Sequence, residues 1–403
     1  MKSRNLPEFL KGADLSSLLE VEECGGRFYD EACRGEHCSP AGRFVNRPYG
    51  EELGCGRAML APTAEDALTI LKRHGVNLVR LRLWNDPYDE DGHPYGAGTN
   101  DLARTMKMAA RCKALGLPWL LDFHYSDFWA DPGKQIVPKA WRGLNEDGLV
   151  RAVYEFTFQT LQTLKDADLL PAMIAPGNEL SNGLLWPIGK TPSYTAIARL
   201  ISSAIRAIRA ADPTIPVMLH LDNGGWNGLY RTWFDQYLQN VGADFDCIGL
   251  SYYPFWHGTL DGLRANMNDV ALRYGKPLIV AETSMGFTLE ECNEREGLRR
   301  DEKRGLAANA KTAAAVPYPM TKEGQCDFLR DLAAVIRQVP NDLGRGFIWW
   351  EPAWLPVSGS HWATPEALAY IGEQGPGGNE WANQALFDYD GCALPALHLL
   401  KNV

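Results

Sequence analysis

Two stretches place a carboxylate where an apolar run gives out: AMIAPGNELSNG at 172–183, with Glu179 after Gly177 and Asn178, and PLIVAETS at 277–284, with Glu282. A solvated loop acid is the ordinary outcome for a Glu beside Gly and Asn. Two such carboxylates facing one bond have a specific chemistry. Glycosidic cleavage needs a neutral acid to protonate the leaving oxygen and an ionised partner to trap the oxocarbenium-like centre. The two environments must therefore hold the two pKa values apart. Glu282 follows an apolar run and is expected near Arg82 and Tyr253, which would keep it ionised and aimed. Glu179 would stay protonated until used, and Asn178 would hold a sugar hydroxyl next to the cleaved bond.

The elements that must position these groups are short β-rich runs at 76–84, 117–125, 172–179, 215–223, 246–254, 276–283 and 346–354. Between them lie helical patterns at 101–116, 154–168, 193–212 and 325–339, with apolar residues at helical spacing. Alternation of β and α at this pitch predicts a parallel sheet. With GADLSS near residue 14 as a first strand the count reaches eight. The expected fold is one α/β domain over 1–403, a (β/α)8 TIM barrel. The surplus over about 250 residues goes to long β-α loops on the active-site face. Active sites of this fold collect at the C-terminal strand ends, where the chain carries Arg82, Trp84, His124, Asn178, Glu179, Asp222, Tyr253, Glu282, Trp350 and Glu351. Each has a bland alternative, such as a satisfied core histidine for His124 or a salt bridge for Arg82. Their shared position is what points to a site.

Composition excludes other classes. A formal charge of -10, from 50 acidic and 40 basic residues without long runs of either sign, argues against a grip on nucleic acid. No run approaches the roughly 18 apolar residues of a membrane span, and the first residues lack the apolar segment of a signal peptide. A secreted or periplasmic location is expected if an export signal has been removed, and a cytoplasmic one if the chain is complete as given. Eight His scattered singly give little support to a metal-dependent hydrolase, so neither metal nor cofactor is expected. Thirteen Trp, several beside Pro or Gly, invite a ligand with flat apolar faces such as a sugar.

The chain resembles the arabinogalactan endo-β-1,4-galactanases of glycoside hydrolase family 53, within the clan of (β/α)8 retaining glycosidases. The resemblance covers nearly all of the chain. It is carried by GADLSSLLEVE, NLVRLRLWNDPYD, LLDFHYSDFWADPGKQIVPKAW, GNELSNGLLWPIG, IGLSYYPFWHGTL, VAETSMGFTLE and WEPAW. It implies Glu179 as acid/base and Glu282 as nucleophile, with His124, Asn178, Tyr253 and an arginine of VRLRLW lining the subsite of the attacked sugar. Arg80 and Arg82 share strand parity, and Arg82 is preferred because it lies nearer the strand's C-terminal end. Trp84, Trp129, Trp186, Trp256, Trp350 and Trp354 are candidate sugar platforms. The implied partner is β-1,4-galactan, and a monomer is expected. Rival readings are another β-glycan hydrolase of the same clan and a non-catalytic carbohydrate-binding barrel.

The sequence departs from the family pattern in the first β-α loop, where a Cys-containing insertion runs over about 24–58. Cys24, Cys33, Cys38, Cys55, Cys292 and Cys326 all fall in segments assigned to top-face loops, which predicts that most are paired. Their first three gaps, of 8, 4 and 16 residues, lack the CxxC pairs of a usual zinc site. Cys112, Cys247 and Cys392 are expected as buried thiols. The segment after strand 7, CNEREGLRRDEKRGLAANAK, lacks the Asp- and Gly-rich pattern of the calcium-binding members, so calcium is not predicted.

Overall fold

A computed structural model describes residues 6–30, 63–292, 297–299 and 304–403. Eight strands form one parallel sheet: β1 (Leu10–Asp14), β2 (Leu78–Leu83), β3 (Trp119–Phe123), β4 (Met173–Pro176), β5 (Met218–Leu221), β6 (Cys247–Ser251), β7 (Leu278–Thr283) and β8 (Gly344–Trp349). The order is β4-β3-β2-β1-β8-β7-β6-β5. The ring closes between β4 and β5 through a parallel bridge of Ile174 with Val217, where the Ile174 amide donates to the Pro216 carbonyl at 3.0 Å. The (β/α)8 barrel expected from the alternation is therefore the fold.

Helices α1 (Leu18–Glu23), α2 (Ala67–Arg73), α3 (Leu102–Ala114), α4 (Glu146–Asp166), α5 (Tyr194–Ala211) and α6 (Asn227–Gln239) wrap the first half. The rest is covered by α7 (Leu260–Tyr274), α8 (Ala310–Ala313), α9 (Lys322–Arg337), α10 (Pro365–Ile371) and α11 (Pro395–Leu399). Several start where a side chain accepts from an otherwise orphaned amide: Asp66 for α2, Asp101 for α3, Asn145 for α4 and Thr321 for α9. Each such cap contributes about 1 kcal/mol. The Asn145 cap starts α4 eight residues before the expected 154, and the acidic Glu146 and Asp147 behind it are the signal that marks that start.

The barrel interior is layered. Leu10, Leu78, Leu120, Met173, Met218, Cys247, Ile279 and Ile348, one from each strand, form with Ala175 and Ala281 a dry inner cluster. At Gly12 a Cβ would stand 2.7 Å from Ile348, so only glycine fits there. Two residues further along β2, β3 and β5 the inward positions turn polar, with Arg80, Asp122 and His220, and that layer carries the candidate site.

The insertion expected over 24–58 lies outside the described residues from 31 onward, as do Cys33, Cys38 and Cys55. Two cysteine expectations are corrected. Cys392 is disulfide-bonded rather than a thiol. Cys326 sits on α9, not in a loop, and its thiol is unpaired. Cys112 and Cys247 are buried thiols. Among the described residues no helix is long and apolar enough to cross a membrane.

Candidate active site

A cavity of about 270 Å³ opens at the C-terminal ends of the strands, with Arg80, Asn178, Glu179, Tyr253, Glu282 and Trp350 among its walls. The chain reaches it by strain. Just past β3, β4, β5 and β8, the non-glycine residues Tyr125, Glu179, Asn223 and Glu351 have positive φ. Each follows directly on a residue named above: His124, Asn178, Asp222 and Trp350. Left-handed backbone at a non-glycine residue costs roughly 1 to 3 kcal/mol and clusters at functional sites. For Glu179 (φ 47, ψ 58) it swings the carboxylate back over the barrel mouth.

Glu282 is aimed by a different device. Along β7, Ile279 and Ala281 both belong to the inner cluster, so strict alternation would send Glu282 outward. The register with β6 jumps, with Leu250 opposite Val280 but Ser251 opposite Glu282. This one-residue bulge turns Glu282 into the cavity. An oxygen of Glu282, one of Glu179 and a ring nitrogen of His220 all lie within 4.8 Å of one another.

The surroundings of the two carboxylates differ in charge. Glu282 Oε1 is 2.8 Å from Arg80 Nη1, and Tyr253 donates its hydroxyl to Glu282 Oε2 at 3.0 Å. Burial, with the charges of Asp14 and Asp122, lifts the Glu282 pKa above the ordinary carboxylate value, and Arg80 and the Tyr253 hydrogen bond oppose that rise. Glu179 is pushed well above the usual carboxylate range, first by burial, then by the charges of Glu282 and Asp222. The proton shared by the pair therefore resides on Glu179.

Arg80 is the hub of the layer. It reaches Asp14 at 2.8 Å, Asp122 at 2.6 Å and the Asn178 Oδ1 at 2.8 Å. Burial raises the Asp122 pKa, but Arg80 and His124 win and hold it below its ordinary value. His124 accepts at Nδ1 from the Trp84 indole at 3.1 Å and the Ala130 amide at 3.2 Å. That fixes its proton on Nε2, facing Asp122 at 3.3 Å. Asn178 spends one amide hydrogen on the Ala130 carbonyl at 2.8 Å, which leaves the other for a ligand.

A model of the family described as "Glycosyl hydrolase family 53" matches residues 51–400. An endo-beta-1,4-galactanase of Bacillus subtilis (strain 168) is 35% identical, covering 98% of this chain and 86% of the relative. An arabinogalactan endo-beta-1,4-galactanase of Humicola insolens is 33% identical over 71% of this chain and 80% of its own length. The GH53 catalytic domain from Ignisphaera aggregans superposes with a TM-score of 0.81 at 36% identity, covering 99% of this chain and 97% of the other. The chain belongs to glycosyl hydrolase family 53. A solved structure of fungal beta-1,4-galactanases has a TM-score of 0.71 at 28% identity, with 97% and 98% covered.

In this family 53 chain the expected wall residues divide. His124, Asn178, Tyr253, Trp129, Trp256 and Trp350 line the cavity, and Trp256 is 39% exposed. Trp84 and Trp354 do not, and their reading as platforms is corrected. Both are fully buried; Trp84 holds His124 from behind, and Trp354 bonds Asn379 Oδ1 at 2.9 Å. Asp222 and Trp186 are also off the wall; Asp222 sits behind Glu179 and acts on it through charge. The preference for Arg82 over Arg80 is corrected as well. Arg82 lines the cavity, but its guanidinium is taken up by Glu351 at 2.5 Å, Asp14 at 3.4 Å and the Ala97 carbonyl at 2.8 Å. Arg80, one inward position lower, is the arginine that meets the carboxylate.

Residues that the sequence reading did not name also stand at the site, among them His220, Trp362, Trp381 and the wall residue His257. His220 shares strand parity with Asp222, the signal that could have found it. It bonds Ser251 Oγ at 2.8 Å, and burial followed by the Arg80 charge holds its pKa down at about 3. Trp362 and Trp381, from the long segment after β8, complete the wall. Trp362 stacks on Trp129 with ring centroids 6.2 Å apart, and Trp381 packs on Trp350 at 4.6 Å. Neither lies near a strand end, so periodicity carried no signal for them.

Proposed function

We propose that this chain is a retaining endo-β-1,4-galactanase, with Glu282 as nucleophile and Glu179 as acid/base. The observation that carries the reading is the close, electrically unequal carboxylate pair. Oxygens within 4.8 Å fit the short separation of about 5 to 5.5 Å at which direct attack occurs; an inverting pair stands about 6.5 to 9.5 Å apart to admit water. The substrate class is supported by the Bacillus subtilis and Humicola insolens relatives, an endo-beta-1,4-galactanase and an arabinogalactan endo-beta-1,4-galactanase.

The steps follow from the side chains. Glu282, aimed by Tyr253 and held ionised by Arg80, attacks the anomeric carbon. Glu179 gives its proton to the departing glycosidic oxygen, so the leaving sugar departs as an alcohol. The product is a glycosyl ester on Glu282. Loss of that proton leaves Glu179 an anion beside a carboxyl that is now neutral, which removes one of the causes, after burial the largest, that had raised its pKa. It then takes a proton from water attacking the same carbon, and both carboxyl groups return to their starting states. Asn178 offers its free amide hydrogen to a hydroxyl of the attacked sugar. The indoles of Trp129, Trp256, Trp350, Trp362 and Trp381 supply apolar faces for pyranose rings, burying C-H area at little side-chain entropy cost.

Incubation with β-1,4-galactan, mannan, xylan and glucan, following new reducing ends and product lengths, tests this reading. Galacto-oligosaccharides released from galactan are expected. Cleavage of another glycan with little action on galactan would overturn the substrate, and no turnover of any would overturn the enzyme.

A further inference from the structure

Away from the cleft, three side chains from distant parts of the sequence converge near the opposite end of the barrel. His74 is the C-cap of α2, at the turn into β2, Asp30 closes the segment that bridges Tyr29 to Cys392, and His398 lies on α11. One oxygen of Asp30 and one ring nitrogen from each histidine lie within 4.8 Å of one another. The two imidazoles meet edge to face with centroids 4.4 Å apart, and His74 Nε2 bonds Asp30 Oδ1. The His398 ring nitrogens have no hydrogen-bond partner among the described residues. We propose that Asp30, His74 and His398 form a site for a first-row divalent metal ion of the Zn²⁺ type, separate from the catalytic cleft.

The donor set decides the class of ion. Two imidazoles and one carboxylate suit Zn²⁺ and its neighbours rather than Ca²⁺ or Mg²⁺, which take oxygen ligands. Three protein ligands would leave a fourth tetrahedral position for water. The exposed ring of His398 leaves a nitrogen lone pair open to an incoming ion. The C-terminal end of α2 carries partial negative charge, which favours a cation at His74. The nearby positive groups are Arg73 and Lys401. Arg73 bonds Asp30 but also Glu65, at 2.6 Å, so a carboxylate already stands by to neutralise it when the metal takes Asp30. Binding would tie the Asp30 segment, α2 and the C-terminal helix together, and stabilise the fold by mass action.

The test is calorimetric titration of the chelator-stripped full chain with ZnCl₂, alongside thermal unfolding with and without Zn²⁺. Binding near one equivalent and a raised Tm are expected. Because His398 is exposed, His398→Ala should fold normally, weaken Zn²⁺ binding by roughly tenfold or more, and lose the Tm shift. Asp30→Asn should do the same. His93→Ala, in the separate exposed cluster with Asp89 and Asp91, should leave binding intact. Absence of Zn²⁺ binding, or binding undiminished in His398→Ala, would overturn the proposal.

Discussion

Replacing Arg80 with Met removes the cation that, among the described residues, touches Glu282, while roughly keeping the buried volume. In the native chain Arg80 Nη1 stands 2.8 Å from Glu282 Oε1. At an effective dielectric of about 20 and a charge separation of about 4 Å, that attraction is about 4 kcal/mol. Divided by 1.36 kcal/mol per pKa unit, it corresponds to about three units. Water entering the enlarged space will recover part of this, so the Glu282 pKa should rise by roughly one to three units. The sign follows: a nucleophile with a higher pKa is protonated up to a higher pH, so the acid limb of kcat/KM on galactan moves to higher pH. The same change strips partners from Asp14, Asp122 and Asn178, and breaking a buried ion pair costs about 3 to 5 kcal/mol. A domain in the middle or upper part of the usual range of about 5 to 15 kcal/mol survives that. Circular dichroism therefore accompanies the pH profiles of Arg80→Met and Arg82→Met. Arg82 bonds Glu351 and Asp14 but not Glu282, so its variant should leave the acid limb nearly in place. A folded Arg80→Met enzyme with an unmoved acid limb, or a larger shift in Arg82→Met, would refute the assignment.

Glu179→Gln should cut turnover of galactan far more than attack on an aryl galactoside with a good leaving group, which needs little protonation. Added azide should restore turnover of the aryl substrate as β-galactosyl azide, whereas an α product would exclude an ester on Glu282. Buried Glu20 on α1 accepts from the Gly98 amide, yet desolvation lifts its pKa to about 7. A raised folded pKa favours the fold below the unfolded value of about 4.3, and that contribution is lost as pH rises through about 7. Glu20→Gln should therefore gain stability over the native chain, by up to about 3 kcal/mol above pH 8 and little at pH 4; denaturant melts at both pH values measure the difference. Trp84→Ala should cost about 3 to 5 kcal/mol of stability through a buried cavity. Trp256→Ala, at a side chain 39% exposed, should leave unfolding midpoints nearly unchanged while raising KM for galactan.

Much of this protein is legible in one dimension because the signals are local. Period-2 apolar runs alternating with 3.6-period helices specify eight β-α units, and the handedness and closure of such units leave the barrel as the way to bury them. Strand ends are equally local, which is why Glu179, Glu282, His124, Asn178 and Tyr253 could be named as site residues. The inner cluster, with at least one apolar side chain from every strand, repeats the same alternation. What alternation cannot supply is depth and aim. Arg80 and Arg82 are equivalent in parity, and only the heights of neighbouring strands decide that Glu282 meets the lower one while Glu351 captures the upper. Alternation along β7 would point Glu282 away from the cavity; a bulge, defined by pairing with β6, turns it inward. Trp84 and Trp354 look like Trp350 in sequence, but what packs over an indole comes from segments far away in the chain, so burial was decided by tertiary structure. For the same reason Trp362 and Trp381 arrive at the cavity from a segment without periodicity, and Asp30, His74 and His398 meet only because the chain's last helix folds back onto its first turns.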